Sequence, residues 1–149
     1  MDSTKSTPRT ATGRSAAKAS RRAAMLDAAA ALFAEKGYNG VSIEELGAAA
    51  GVSGPAVYRH FSGKPALLSA LLIGVSKDLL EGGIAVVAES DTAEVALSGL
   101  IEFQVDFALR QPNVIRVQDR DLASLPEDDE RAVRQLQRQY VEVWVDAIS

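Results

Sequence analysis

Tyr58, Arg59 and His60 stand side by side, and Lys64 follows about one helical turn later. A phenol, a guanidinium, an imidazole and an ammonium all donate hydrogen bonds, and two of them carry fixed positive charge. Such a set suits an anion whose charge is spread over several oxygens, above all a nucleic-acid phosphate. It does not suit bond-breaking. The chain has one His and no Cys. It has no Gly-rich phosphate loop and no metal-spaced ligand set, so neither catalysis, nor a metal, nor a cofactor is expected. Acidic pairs such as Glu44-Glu45 are explained by helix capping.

These donors need a scaffold, and residues 42–64 supply one. Ser42 and Glu45 form a capping box, with Val41 and Leu46 at the positions of a hydrophobic staple, so a helix should start at Ile43. Ile43, Leu46 and Ala50 would line its inner side. Gly51 supplies a left-handed turn, and Val52 should plug the angle between two helices. Ser53 caps the second helix, with Pro55 tolerated in its first turn. Val57 and Phe61 should face inward, leaving Tyr58, Arg59 and His60 outside. Two short helices joined by a tight Gly turn are helix-turn-helix geometry and imply a DNA-binding regulator.

The remaining elements are also helices. Met25, Ala28, Ala29, Leu32 and Phe33 form one amphipathic stripe, with Ser20 as its expected cap and Lys36-Gly37 as its close. Residues 1–19, rich in Ser, Thr, Ala and Lys/Arg, read as a disordered basic arm. A helix with Leu68, Leu71, Leu72, Val75 and Leu79 in register follows Gly63-Lys64-Pro65. Gly82-Gly83 should weaken or end it, since two glycines cost about 2 kcal/mol in a helix interior. Asp91 with Glu94 suggests a cap for a helix reaching Arg110, which Pro112 breaks. A short helix over about 113–122 is expected next. Ser124 with Glu127 then suggests the cap of a last helix carrying Val133, Leu136, Tyr140, Val143, Trp144 and Ala147. The acidic and basic residues at Asp119-Arg120-Asp121 read as a solvated face.

Composition agrees with an all-α fold, since Ala is abundant and aromatics are only 5% of the chain. The 149 residues include 47% apolar ones, enough for a packed core. Net charge is −4, but it is unevenly spread. Residues 1–64 hold 9 Lys/Arg against 5 Asp/Glu, and residues 65–149 hold 7 against 15. A basic head and an acidic body are implied. No apolar run approaches the roughly 18–20 residues of a membrane span, and none resembles a signal peptide. A cytoplasmic setting with no membrane partner is expected.

Residues 20–70 resemble the N-terminal domain of TetR-type (TetR/AcrR) transcriptional regulators. Arg22 to Tyr38 looks like that family's first helix, Val41 to Ser53 like its second helix and turn, and Pro55 to Lys64 like its recognition helix and the entry to helix four. The resemblance implies a three-helix head over residues 20–66 after the arm of residues 1–19, and a helical regulatory and dimerisation domain over 67–149. It implies that Ser42, Tyr58, His60 and Lys64 grip phosphates. Base readout would fall to Ser53, Gly54, Pro55 and Ala56 at the helix start and to Arg59, the one long side chain able to reach a guanine edge. Arg21 and Arg22 would lie near the minor groove.

The resemblance also implies a small apolar effector in the C-terminal domain. Val86, Val87, Ile101, Phe103, Phe107, Tyr140 and Trp144 are the candidate lining, although core packing is the simpler reading of the four aromatics. A homodimer would set two recognition helices about 34–36 Å apart on a pseudo-palindromic operator. The two helices with which the family builds its dimer have no counterpart before Ser149, so the expectation is either a fragment with an incomplete C-terminal domain or a member that dimerises differently. The expected function is an effector-released repressor; the alternative is a DNA-binding module with no ligand response.

Overall fold

The computed structural model describes the backbone of residues 2–149 and the side chains of residues 13–149. Among the described residues there are seven α-helices: α1 (Asp2–Lys36), α2 (Ile43–Ala50), α3 (Gly54–His60), α4 (Lys64–Ala88), α5 (Ala93–Arg110), α6 (Pro112–Asp121) and α7 (Glu127–Ile148). Single 3-10 turns occupy Tyr38–Gly40 and Leu122–Ser124. No strand occurs among the described residues.

The capping box of α2 forms as expected. The Glu45 amide donates to Ser42 Oγ at 3.1 Å, and the Ser42 amide donates to Glu45 Oε1 at 3.3 Å. Val41 and Leu46 are both buried beneath it. The Lys36 ammonium, 2.5 Å from Glu45 Oε2, and the Ser42 amide hold the Glu45 carboxyl below its usual range. Gly51 closes α2 with φ of 76°, a left-handed conformation that a side chain would strain. Ser53 caps α3 by accepting from the Ala56 amide at 3.2 Å.

Several boundaries and caps differ from expectation. Helix α1 does not start at Ser20 after a disordered arm; it runs back to Asp2. Residues 13–24 are exposed, and Ala16, Ala17, Lys18, Ala19, Arg21 and Arg22 are strong helix formers that need no core to favour a helix. Met1 lies outside the described residues. Helix α4 does not end at Gly82-Gly83 but continues to Ala88. A Cβ at Gly82 would overlap the Phe103 ring of α5, and one at Gly83 would stand 2.9 Å from Tyr140 Cε1 of α7. The two glycines let both neighbours cross α4 closely, and packing of the two half-buried aromatic rings offsets the helix-propensity cost. The caps of α5 and α7 also differ. Thr92, not Asp91, accepts from the Val95 amide at 3.1 Å. Ser124 lies in the 3-10 turn, and α7 begins after Pro126 without a side-chain cap. Four carboxylates, Glu127 to Glu130, occupy its positive end instead.

One core crosses the expected boundary between head and body. Met25, Phe33, Leu46 and Val57 belong to the same buried cluster as Leu68, Leu72, Val117 and Val133. A smaller cluster of Ala96, Leu100 and Ala147 joins α5 to α7.

Arg120 reinforces the joint, contrary to its reading as part of a solvated face. Its guanidinium donates to the carbonyls of Phe33 and Ala34 at the end of α1, and it lies 3.3 Å from the carboxylate of buried Asp121. A cation here meets the negative end of the helix dipole. Arg120→Met is expected to destabilise the chain by about 1–2 kcal/mol, because those carbonyls and Asp121 lose a charged donor. A urea titration checks this: the midpoint should fall with the slope unchanged.

Candidate nucleic-acid interface

Helix α3 presents two faces. Val57 is fully buried and Phe61 nearly so, which pins the inner face to the core. Tyr58, 55% exposed, and Arg59 point outward, with His60 half-buried at the helix end. The separation follows from helical periodicity, since residues four apart share a face. At the N-terminus, Gly54 and Ala56 are half-buried and Pro55 is exposed. A Cβ at Gly54 would meet nothing within 4 Å. The N-terminal end of α3 is therefore short of side chains but not of space.

The structure separates some residues that the sequence grouped together. Lys64 does not extend free from the start of α4. Its ammonium donates to the Tyr38 carbonyl at 2.9 Å and sits 4.7 Å from the centre of the Tyr38 ring. This tie joins α4 to the turn after α1 and leaves two of its three N–H donors for other partners. Ser42 is committed to its cap. Ser53 is likewise committed to its own. The Arg22 guanidinium stacks 5.1 Å over the Phe61 ring, so it ties α1 to the end of α3. Arg21, by contrast, lines a cleft with Arg59 and His60.

That cleft also contains Lys18, a residue the sequence reading overlooked. The signal was present: Lys18, Arg21, Arg22 and Met25 recur at i, i+3, i+4 and i+7, one helical stripe. The arm reading of residues 1–19 hides it, because helical spacing has no meaning in an arm.

The seven candidate effector residues do not meet in one cavity. Val86 and Phe103 line an open groove of about 680 Å³ between the end of α4 and α5. Ile101 is exposed, and Phe107 lies in the main core. Val87 and Trp144 pack on the small α5–α7 cluster. Tyr140 covers Gly83, donates to Gln104 Oε1 at 2.6 Å and stacks edge-on with Trp144. Burial pushes the Tyr140 phenol up. The family resemblance suggested these residues as an apolar lining, but it could not say which neighbour each would meet.

Residues 25–71 match the family model described as bacterial regulatory proteins, tetR family. The repressor KstR2 of Rhodococcus jostii is 24% identical over 132 residues, 88% of this chain and 65% of its own. The activator FasR of Mycolicibacterium smegmatis is 39% identical over 62 residues, 42% of this chain and 28% of its own. A TetR-family regulator from Bordetella parapertussis superposes with a TM-score of 0.80 at 27% identity, covering 85% of this chain and 66% of that one. The chain thus spans less than two thirds of the length of either curated relative.

Proposed function

The chain belongs to the TetR family of bacterial transcriptional regulators, and from that premise we propose that it acts as a cytoplasmic repressor on a pseudo-palindromic operator. A homodimer would place two copies of α3 in successive major grooves. The observation that carries this reading is the two-sided α3: Val57 is locked into the core while its neighbour Tyr58 stands 55% exposed. Its outward side holds donors suited to phosphate, and its N-terminal end offers Pro55 and Ala56 for contact with a thymine methyl.

Fluorescence anisotropy tests it, using a duplex from the upstream region of this chain's own gene against a scrambled duplex. Selective binding is expected. Tyr58→Ala should weaken it about ten- to a hundredfold, the value of a hydrogen bond to a charged group, without lowering the melting temperature of an exposed position. Equal, weak binding of both duplexes would sink the operator reading.

A small apolar effector would enter the α4–α5 groove, whose floor includes Val86 and Phe103. Movement of α4 would then alter the spacing of the two heads. The failure of the seven candidate residues to converge favours the second reading, a DNA-binding module without ligand response. Melting temperature against the concentration of medium-chain acyl compounds separates the two, because only a ligand-binding native state gains stability with concentration.

A further inference from the structure

We propose that the cleft between α1 and α3 is a phosphate-binding site that extends the surface of the helix-turn-helix onto α1, with Lys18 and Arg21 lining it beside Arg59 and His60. The proposal rests on the DNA-binding reading and extends its contact surface along α1. It also gives Arg59 a role different from base reading, that of a phosphate contact.

Three observations carry it. The first is composition. The cleft, about 340 Å³, is lined by Lys18, Arg21, Met25, Ala56, Arg59 and His60, with no carboxylate among them. That volume is roughly ten times a water molecule's share of the liquid, room for a phosphodiester and its remaining hydration.

The second is how the chain treats its other cations. Acidic residues outnumber basic ones, 20 to 16. Among the described residues, ion pairs hold Lys36, Arg110, Arg120, Arg131 and Arg134, while Lys18, Arg21 and Arg59 are in none, as are Arg14, Arg22, Lys64, Lys77, Arg116 and Arg138; the cleft differs in gathering three such cations in one place. Three cations brought together without a counter-charge repel one another, and a polyanion relieves that repulsion.

The third is the register of α1. Met25, Ala29 and Phe33 form its buried row. Continued toward the N-terminus, the same row becomes Arg21, Lys18 and Arg14, all exposed. The stripe that packs the core thus turns cationic where the helix overruns the core. From Arg14 to Met25 it spans about 16 Å. A phosphate strand running past the end of α3 would meet this row next.

The test is the salt dependence of binding to a mixed-sequence duplex, read by anisotropy between about 50 and 200 mM salt. Four proteins are compared: wild type, Lys18→Ala/Arg21→Ala, Arg59→Ala, and Lys77→Ala/Arg138→Ala. The last removes two exposed cations from the body. Alanine is the best helix former, so the α1 substitutions preserve the helix, and far-ultraviolet circular dichroism verifies it.

The slope of log affinity against log salt should fall by about 1.8 in Lys18→Ala/Arg21→Ala, about 0.9 per phosphate lost. The affinity gap to wild type should then narrow about twelvefold across that salt range. Arg59→Ala should lower the slope by about 0.9 and weaken all duplexes alike. The body variant should keep the wild-type slope. Unchanged slopes in the α1 and Arg59 variants, or an equal fall in the body variant, overturn the cleft while leaving DNA binding intact. Arg59→Ala that changes only sequence preference returns Arg59 to base readout and also overturns it. A wild-type chain with no salt-dependent duplex binding overturns the DNA reading itself.

Discussion

A Gly47→Ala chain is expected to melt about 3–8 °C below the native protein and to bind DNA at least tenfold more weakly. Helix propensity alone points the other way, since Ala in a helix interior is worth about 1 kcal/mol over Gly. The local packing decides the sign. A Cβ at Gly47 would stand 2.8 Å from the Val52 carbonyl oxygen and 3.3 Å from the Ser53 carbonyl carbon. Both are backbone atoms, so no rotamer change relieves the overlap. The same turn is pinned by the Val52 amide donating to the Gly47 carbonyl at 2.8 Å. Overpacking of this kind costs about 1–3 kcal/mol, and a backbone clash belongs at the upper end, leaving a net loss of about 2 kcal/mol. DNA binding should suffer more than stability, because the displaced segment carries the Ser53 cap and sets the angle of α3 against α2. Gly54→Ala is the control. Its Cβ meets nothing within 4 Å, and its φ is not positive, so that chain should melt at or slightly above the native temperature. Paired melting curves check both signs, and a Gly47→Ala chain as stable as native would refute the packing argument.

Local signals were the legible ones. Ser42 and Glu45 announce a capping box because both partners lie within one turn, and Gly51 announces a left-handed turn because few other residues adopt one. The inward stripe of α1 and the pairing of Val57 with Phe61 follow from period alone. Long-range partners were not legible. Gly82-Gly83 carries a visible helix cost, but the compensating contacts come from Phe103 and Tyr140, 21 and 57 positions away. Lys64 looked like a free cation because the Tyr38 carbonyl is 26 positions distant. Arg120 looked solvated for the same reason, its acceptors lying 86 and 87 positions upstream. Within the candidate interface, period placed Tyr58 and Arg59 outside correctly, yet Lys18 became visible only once α1 was seen to continue as a helix. The effector residues show the limit most clearly: a resemblance suggests an apolar lining, and only packing selects the neighbour that covers each side chain.

Phe33→Ala is expected to cost about 3–5 kcal/mol, the largest loss of any substitution argued for this chain. Phe33 is fully buried, with its ring centre 5.3 Å from that of Tyr38. Its carbonyl accepts from the Gly37 amide at 2.8 Å and from Arg120 of α6, so the residue sits where head and body meet. Against a total stability of about 5–15 kcal/mol, such a loss removes a third or more of the margin for most values in that range. The melting temperature should fall by about 6–20 °C. The form of the melt matters as much as its midpoint. A head that folded on its own would lose structure first, giving two steps with only one displaced. The continuous core from Met25 through Val57 to Leu72 and Val133 requires instead a single displaced transition. Far- and near-ultraviolet circular dichroism should therefore trace the same curve. Phe33→Leu refills much of the volume and should cost only about 1–2 kcal/mol, which separates the cavity from any special role of the ring. Two resolved transitions in Phe33→Ala would show that head and body fold independently, and that the shared core does not couple them.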